Sequence, residues 1–133
     1  MAAPAHNIPR KIPGPDHPIS IQPTLDRVIV KFGGTVIADS TRALTLREAK
    51  YPPVQYIPRA DVKMDLLAKT AHHTHCPYKG EASYFSIHAG GRSAENAVWS
   101  YEQPFDAVGE IVEHVAFYPD RVDSIEIVAS SPT

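Results

Sequence analysis

From Arg27 onward, apolar and polar residues alternate in short runs separated by turn signals. Val28, Val30 and Phe32 alternate with Arg27 and Lys31, a period of two that predicts a strand with one buried face. Gly33 and Gly34 follow as a two-residue turn, since both positions accept positive φ. Thr35–Asp39 is then the returning strand of a hairpin. Residues 42–48, RALTLRE, alternate again. The stretch YPPVQYIPR has the tyrosines and β-branched residues of a strand but carries Pro52, Pro53 and Pro58. Proline cannot donate to a ladder, so this piece is expected at a sheet edge or as a crossing segment.

Helical spacing is concentrated in DVKMDLLAKT. Asp61 is placed to cap a helix, with Val62 and Leu66 facing inward and Met64 and Leu67 near them. After it, ASYFSIHA and ENAVWSYE alternate on either side of Gly90-Gly91, which predicts a second hairpin. AVGEIVEHVAFYP is two-sided: Val108, Ile111, Val112 and Val115 fit a helical turn, while VAFYP reads as strand. RVDSIEIV predicts a closing strand. At least five strand signals against one short helix predict a mainly β fold. We expect a single compact antiparallel β-sandwich or barrel-like domain over 24–133, with one short α-helix near 61–68.

Ahead of this domain the composition changes. Six of the 13 prolines fall within residues 1–23, which predicts a proline-rich N-terminal extension in extended geometry across the surface. At 133 residues the whole is one domain with a modest core. A net charge of −2 gives no bulk attraction to nucleic acid or anionic lipid, so neither is expected as a partner. No apolar run approaches the ~20 residues that cross a bilayer. The N-terminal stretch lacks the apolar core of a secretory signal, and the single cysteine permits no internal disulfide. A cytoplasmic setting is the expectation.

Reactive side chains crowd into HHTHCPYKG, residues 72–80. Zinc needs about four ligands, or three and a water. On a strand, His73 and His75 point to one face and His72 and Thr74 to the other, so the donors are divided. His88 and His114 are the remote imidazoles, and nothing in the sequence brings them near; no metal is expected. Cys76 has two readings. Neighbouring cations, His75 and Lys79, would favour a reactive thiolate, whereas a buried cysteine is a small apolar filler. Cys-Pro forces extended backbone at Cys76, so the stretch is expected to be a strand end and a tight turn. Pro77 would fix that turn and Gly80 return the chain to the sheet. The pairs GGT, 33–35, and GGR, 90–92, are either small anion-binding nests or plain hairpin turns. Trp99 and Tyr101 share a strand face, which suits a core or a pocket wall.

Several blocks carry a resemblance: GGTVIADSTRALTLREAKYPPVQYIPRADVKMDLL, THCPYKGEASYFSI, NAVWSYEQP and VAFYPDRVD. In this order, from about Arg27 to Asp123, the chain is similar to a bacterial domain of unknown function family numbered 427, also labelled as nucleotidyltransferases. CPYKG is the most specific piece. The resemblance implies a compact β-sandwich or barrel-like domain with one short helix, and no established activity. A transferase of the polymerase kind needs a Gly-Ser phosphate loop and paired aspartates on magnesium. Asp61 and Asp65 lie one helical turn apart without a preceding Gly-Ser, and read better as a cap and an exposed carboxylate.

The family's recurring polar positions, carried onto this chain, are Arg42, Tyr56, Arg59, Asp61, Thr74, Cys76, Lys79, Tyr84, Asn96 and Trp99. Some are structural: Asp61 as the cap, with Arg59 bridging to it. The remainder join a cation, a thiol, an amide and several rings, the mix of a pocket for a small polar or anionic ligand. In that reading Cys76 and Lys79 are the candidate catalytic pair. Arg42, Tyr56, Arg59, Thr74, Tyr84, Asn96 and Trp99 bind the ligand, no cofactor is needed, and the partner is a small molecule. The alternatives are a nucleotidyltransferase, as the label has it, and a non-catalytic interaction or scaffold protein. The sequence does not give the oligomeric state.

Overall fold

The computed structural model describes residues 10–129. Two antiparallel sheets pack face to face without closing into a barrel. The strands are β1 (Ile19–Pro23), β2 (Arg27–Phe32), β3 (Thr35–Ser40), β4 (Leu44–Glu48), β5 (Val54–Pro58), β6 (Leu67–Cys76), β7 (Gly80–Ala89), β8 (Arg92–Ser100), β9 (His114–Phe117) and β10 (Ser124–Val128). Seven form the larger sheet in the order β1-β4-β5-β9-β8-β7-β6, and three form the smaller, β10-β2-β3. Of the proline-rich extension, residues 19–23 are β1, paired with β4; Pro4 and Pro9 lie outside the described residues.

Both glycine pairs make the expected hairpins. Gly33 and Gly34 have φ of 62° and 76°, and Gly90 and Gly91 have 61° and 72°, the primed turn whose twist suits paired strands. The two turns meet. A Cβ built on Gly33 would stand 2.3 Å from the Ala89 carbonyl oxygen, and one on Gly90 would stand 2.0 Å from that of Gly33. Backbone therefore packs on backbone where the two sheets join, and only glycine fits.

The larger sheet is buried on both faces at its centre. One face meets the smaller sheet: Val28, Val30, Phe32 and Ile37 pack against Ile57, Phe85, Val98 and Val115. The other face gathers Leu46, Tyr56, Tyr84 and Tyr101 with Val108 and Ile111 from the helical turn Asp106–Ile111. This double burial explains the two-sided reading of 107–119. Its first half is a 3₁₀ segment kinked at Val108 and its second half is β9, whose Val115 and Ala116 enter opposite cores.

Two expectations are corrected. The helical segment near 61–68 exists as two 3₁₀ turns, Arg59–Asp61 and Met64–Leu66, not as one α-helix. Leu67, Ala68 and Lys69 instead pair with Ile87, Ser86 and Phe85 of β7, so a ladder takes the backbone groups that a helix would have used. The segment around VQYIP is an inner strand, β5, between β4 and β9. Its prolines fall at the ends, Pro52 and Pro53 before the strand and Pro58 as its last residue, leaving Val54–Ile57 free to pair.

Candidate functional site

β6 ends at Cys76 and β7 begins at its pairing partner Gly80, so Pro77, Tyr78 and Lys79 form the turn. The Lys79 amide donates to the Cys76 carbonyl oxygen (3.2 Å), and Gly80 turns the chain back with φ of 109°. The turn sends Lys79 inward, where its side chain is only 10% exposed and its ammonium donates to Oε1 of Glu48. His17 Nε2 lies 2.7 Å from the other oxygen of Glu48, and the His17 ring stacks on Tyr78 at 3.9 Å. Burial pushes the Glu48 carboxyl up. The bonds from Lys79 and His17 outweigh burial and hold it below its ordinary range. Lys79 therefore has its own carboxylate partner. Cys76 is half-buried against the second core among tyrosines.

Three of the tyrosines on this face have hydrogen-bond partners there. Tyr84 OH lies 3.0 Å from Thr74 Oγ1 and 3.2 Å from Tyr118 OH. Trp99 Nε1 donates to Tyr56 OH at 3.1 Å. Burial pushes the phenols of Tyr56 and Tyr101 well above the usual range, and that of Tyr118 up to about 12 with help from Tyr84. Of the expected site residues, Tyr56, Thr74, Cys76, Tyr84 and Trp99 thus gather on one face of the larger sheet.

The others do not join them. Arg42 grips Asp61 with two bonds, Nη2 to Oδ1 at 2.8 Å and Nε to Oδ2 at 3.2 Å, and Ser40 Oγ donates to the same carboxylate at 2.6 Å. The guanidinium holds the Asp61 carboxyl below its usual range. Asp61 therefore makes no cap, and Pro58 precedes its turn. Arg59 does not bridge to Asp61 either. It runs past Phe85 and donates to Ser100 Oγ (3.0 Å) and Glu102 Oε2 (3.2 Å). Asn96 sits at φ of 50°, where the β7–β8 register shifts; its Oδ1 accepts from Thr70 Oγ1 at 2.6 Å and its amide donates to Ser86 Oγ. Asparagine suits that left-handed backbone. The Gly33-Gly34 turn holds an anion belonging to the chain itself: the Gly33 amide donates to Asp123 Oδ2 at 2.9 Å, and Arg92 binds Oδ1 of the same carboxylate. Among the described residues, no three His, Cys, Asp or Glu side chains assemble as a metal site.

Among the described residues a cleft of about 610 Å³ lies elsewhere, between the two sheets. β9 ends at Phe117, and beyond it β5 and the chain after Tyr118 part. Ile57 and Phe117 line it from the face of the larger sheet that meets the smaller, Val30, Ile125 and Ile127 line it from the smaller, and Trp99, which packs with the tyrosines of the opposite face, also reaches it. Tyr51, Pro52, Pro53, Val54, Gln55 and Pro119 complete the wall; Gln55 is its one amide, and no lining residue carries a charge. Sequence reasoning reached Trp99 but missed the rest. Their signals were the Pro52-Pro53 pair beside a tyrosine and the Ile125/Ile127 alternation, which show apolar faces but not that those faces oppose each other.

Between residues 20 and 127, nearly all of the folded chain, the sequence matches the model of a family described as a domain of unknown function, DUF427. No curated protein matches.

Proposed function

We propose, for a chain that belongs to the DUF427 family, that it binds an uncharged, largely apolar small molecule in the cleft that Trp99 helps to line. The observation that carries this reading is the cleft itself. Its volume lies within the range of small-molecule sites, and its walls are hydrophobic and aromatic, as such sites are. Flat proline and aromatic faces suit a ring system or a compact hydrocarbon. A charged head inside would lose its hydration without a partner.

The polar-ligand reading centred on CPYKG has less support, because Lys79 is engaged by Glu48 and Arg42 by Asp61. The nucleotidyltransferase reading has less support too, because Arg42 and Ser40 occupy the Asp61 carboxylate. On this account those positions hold the fold that shapes the cleft.

Trp99 is the only tryptophan, so its emission reports on the cleft. Titration with the uncharged probe N-phenyl-1-naphthylamine is expected to quench Trp99 and brighten the probe in a saturable way. Ile125→Asp, which puts a carboxylate into the wall, is expected to weaken binding at least tenfold. A probe that leaves Trp99 unchanged, or binds the variant equally well, overturns the reading.

A further inference from the structure

The segment 10–18 crosses from β1 to the CPYKG turn and is held at both ends. At one end the Lys11 amide donates to the Pro77 carbonyl oxygen at 2.8 Å, and the Arg10 guanidinium lies 3.9 Å from the centre of the Phe105 ring. At the other, the Ala49 amide donates to the Pro18 carbonyl oxygen at 2.8 Å, and His17 binds Glu48. Ile12 is 82% exposed and gives the strap no apolar anchor, so ring stacking and hydrogen bonds hold it in place.

Its second attachment is the base of the cleft wall. Glu48 ends β4, its carbonyl oxygen accepts from the Tyr51 amide at 2.9 Å, and Tyr51 leads into Pro52 and Pro53. Within that bend Ala49 holds φ of 47°, a left-handed conformation that costs an alanine energy and persists only where its surroundings enforce it. His17 touches the residues on both sides of that bend. Its ring lies flat on Tyr78 (interplanar angle 6°) and meets the edge of Tyr51 at 6.4 Å, while Nε2 engages Glu48. Tyr51 is otherwise 65% exposed. A single imidazole thus touches the CPYKG turn, the end of β4 and the mouth of the cleft.

We infer that the 10–18 strap is a latch on the cleft, in which His17, clamped by Tyr78 and Glu48, holds the Tyr51–Pro53 wall closed over a bound apolar ligand. This rests on the cleft being the binding site. The CPYKG turn then acts on the ligand at a distance, by supplying the ring on which the latch is stacked. Loss of the latch leaves the cleft floor intact but frees its rim, so release accelerates more than capture.

Stopped-flow displacement of N-phenyl-1-naphthylamine from the whole 133-residue chain tests the latch. His17→Ala is expected to release the probe at least fivefold faster while keeping the wild-type circular dichroism spectrum. Tyr78→Leu, which removes the stacking partner from outside the wall, is expected to do the same and serves if His17→Ala fails to fold. Wild-type release rates in a folded variant overturn the latch and leave the cleft standing. A wild-type protein that binds no probe overturns the cleft reading instead.

Discussion

Lys79 and Glu48 form a largely buried ion pair across 31 residues of sequence, joining the turn between β6 and β7 to the end of β4. The glutamate is 12% exposed and shared with His17, so each charge is held in a place water barely reaches. Removing one member strands the other. Lys79→Met is expected to destabilise the protein by about 3 kcal/mol. Adding Glu48→Gln should recover a substantial part of that loss, and urea unfolding of the two variants against wild type measures both effects.

The same pair contributes to the acid limb of stability. The folded Glu48 carboxyl has a pKa below its unfolded one, as has that of Glu102, which Lys69 holds down with help from Ser83 and Arg59. As pH falls, the unfolded chain takes up protons first and gains on the native state. Stability should therefore hold above the ordinary carboxylate range, about pH 4–5, and decline below it. Lys79→Met, which removes one cause of the Glu48 depression, should flatten that decline. Unfolding midpoints measured from neutral to acid pH follow it.

Opposite behaviour is expected in alkali. Tyr56 and Tyr101 are pushed well above the free phenol range, and Tyr118 up to about 12. Their folded values exceed the unfolded ones, so stability is complete below about pH 10 and is lost as pH rises above it. Absorbance titration at the phenolate band should show these three rings lagging in the native protein and joining the ordinary range in denaturant.

The glycine turns separate two costs at four positions. Alanine at Gly34 or Gly91 meets open space and pays only for positive φ, about 1–2 kcal/mol. Alanine at Gly33 or Gly90 also drives Cβ into backbone of the facing turn. Those two variants are expected to lose more than about 3 kcal/mol, a contrast that thermal unfolding of the four proteins resolves.

Much of this fold is legible in the sequence where one strand and its turn suffice. The alternation of Val28, Val30 and Phe32, both Gly-Gly turns and the strand end at Cys-Pro follow from pleat geometry and backbone sterics, which act over a few residues. DVKMDLLAKT has helical spacing, which is a local signal, whereas the β7 backbone that pairs with Leu67–Lys69 comes from elsewhere in the chain. The inner position of β5 was hidden likewise, since the prolines mark where pairing stops and not how many neighbours the strand has.

The candidate site divides in the same way. The residue types that gather on one sheet face, Tyr56, Thr74, Cys76, Tyr84 and Trp99, could be named from the chain, because alternation and family blocks mark them. Their partners could not. Lys79 finds Glu48, Asp123 fills the Gly33 turn from 90 residues away, and Ile125 comes to share a cleft with Ile57 and Phe117. Periodicity states which face of a strand is apolar. What that face meets depends on how two sheets twist and pack, and only the tertiary structure decides it.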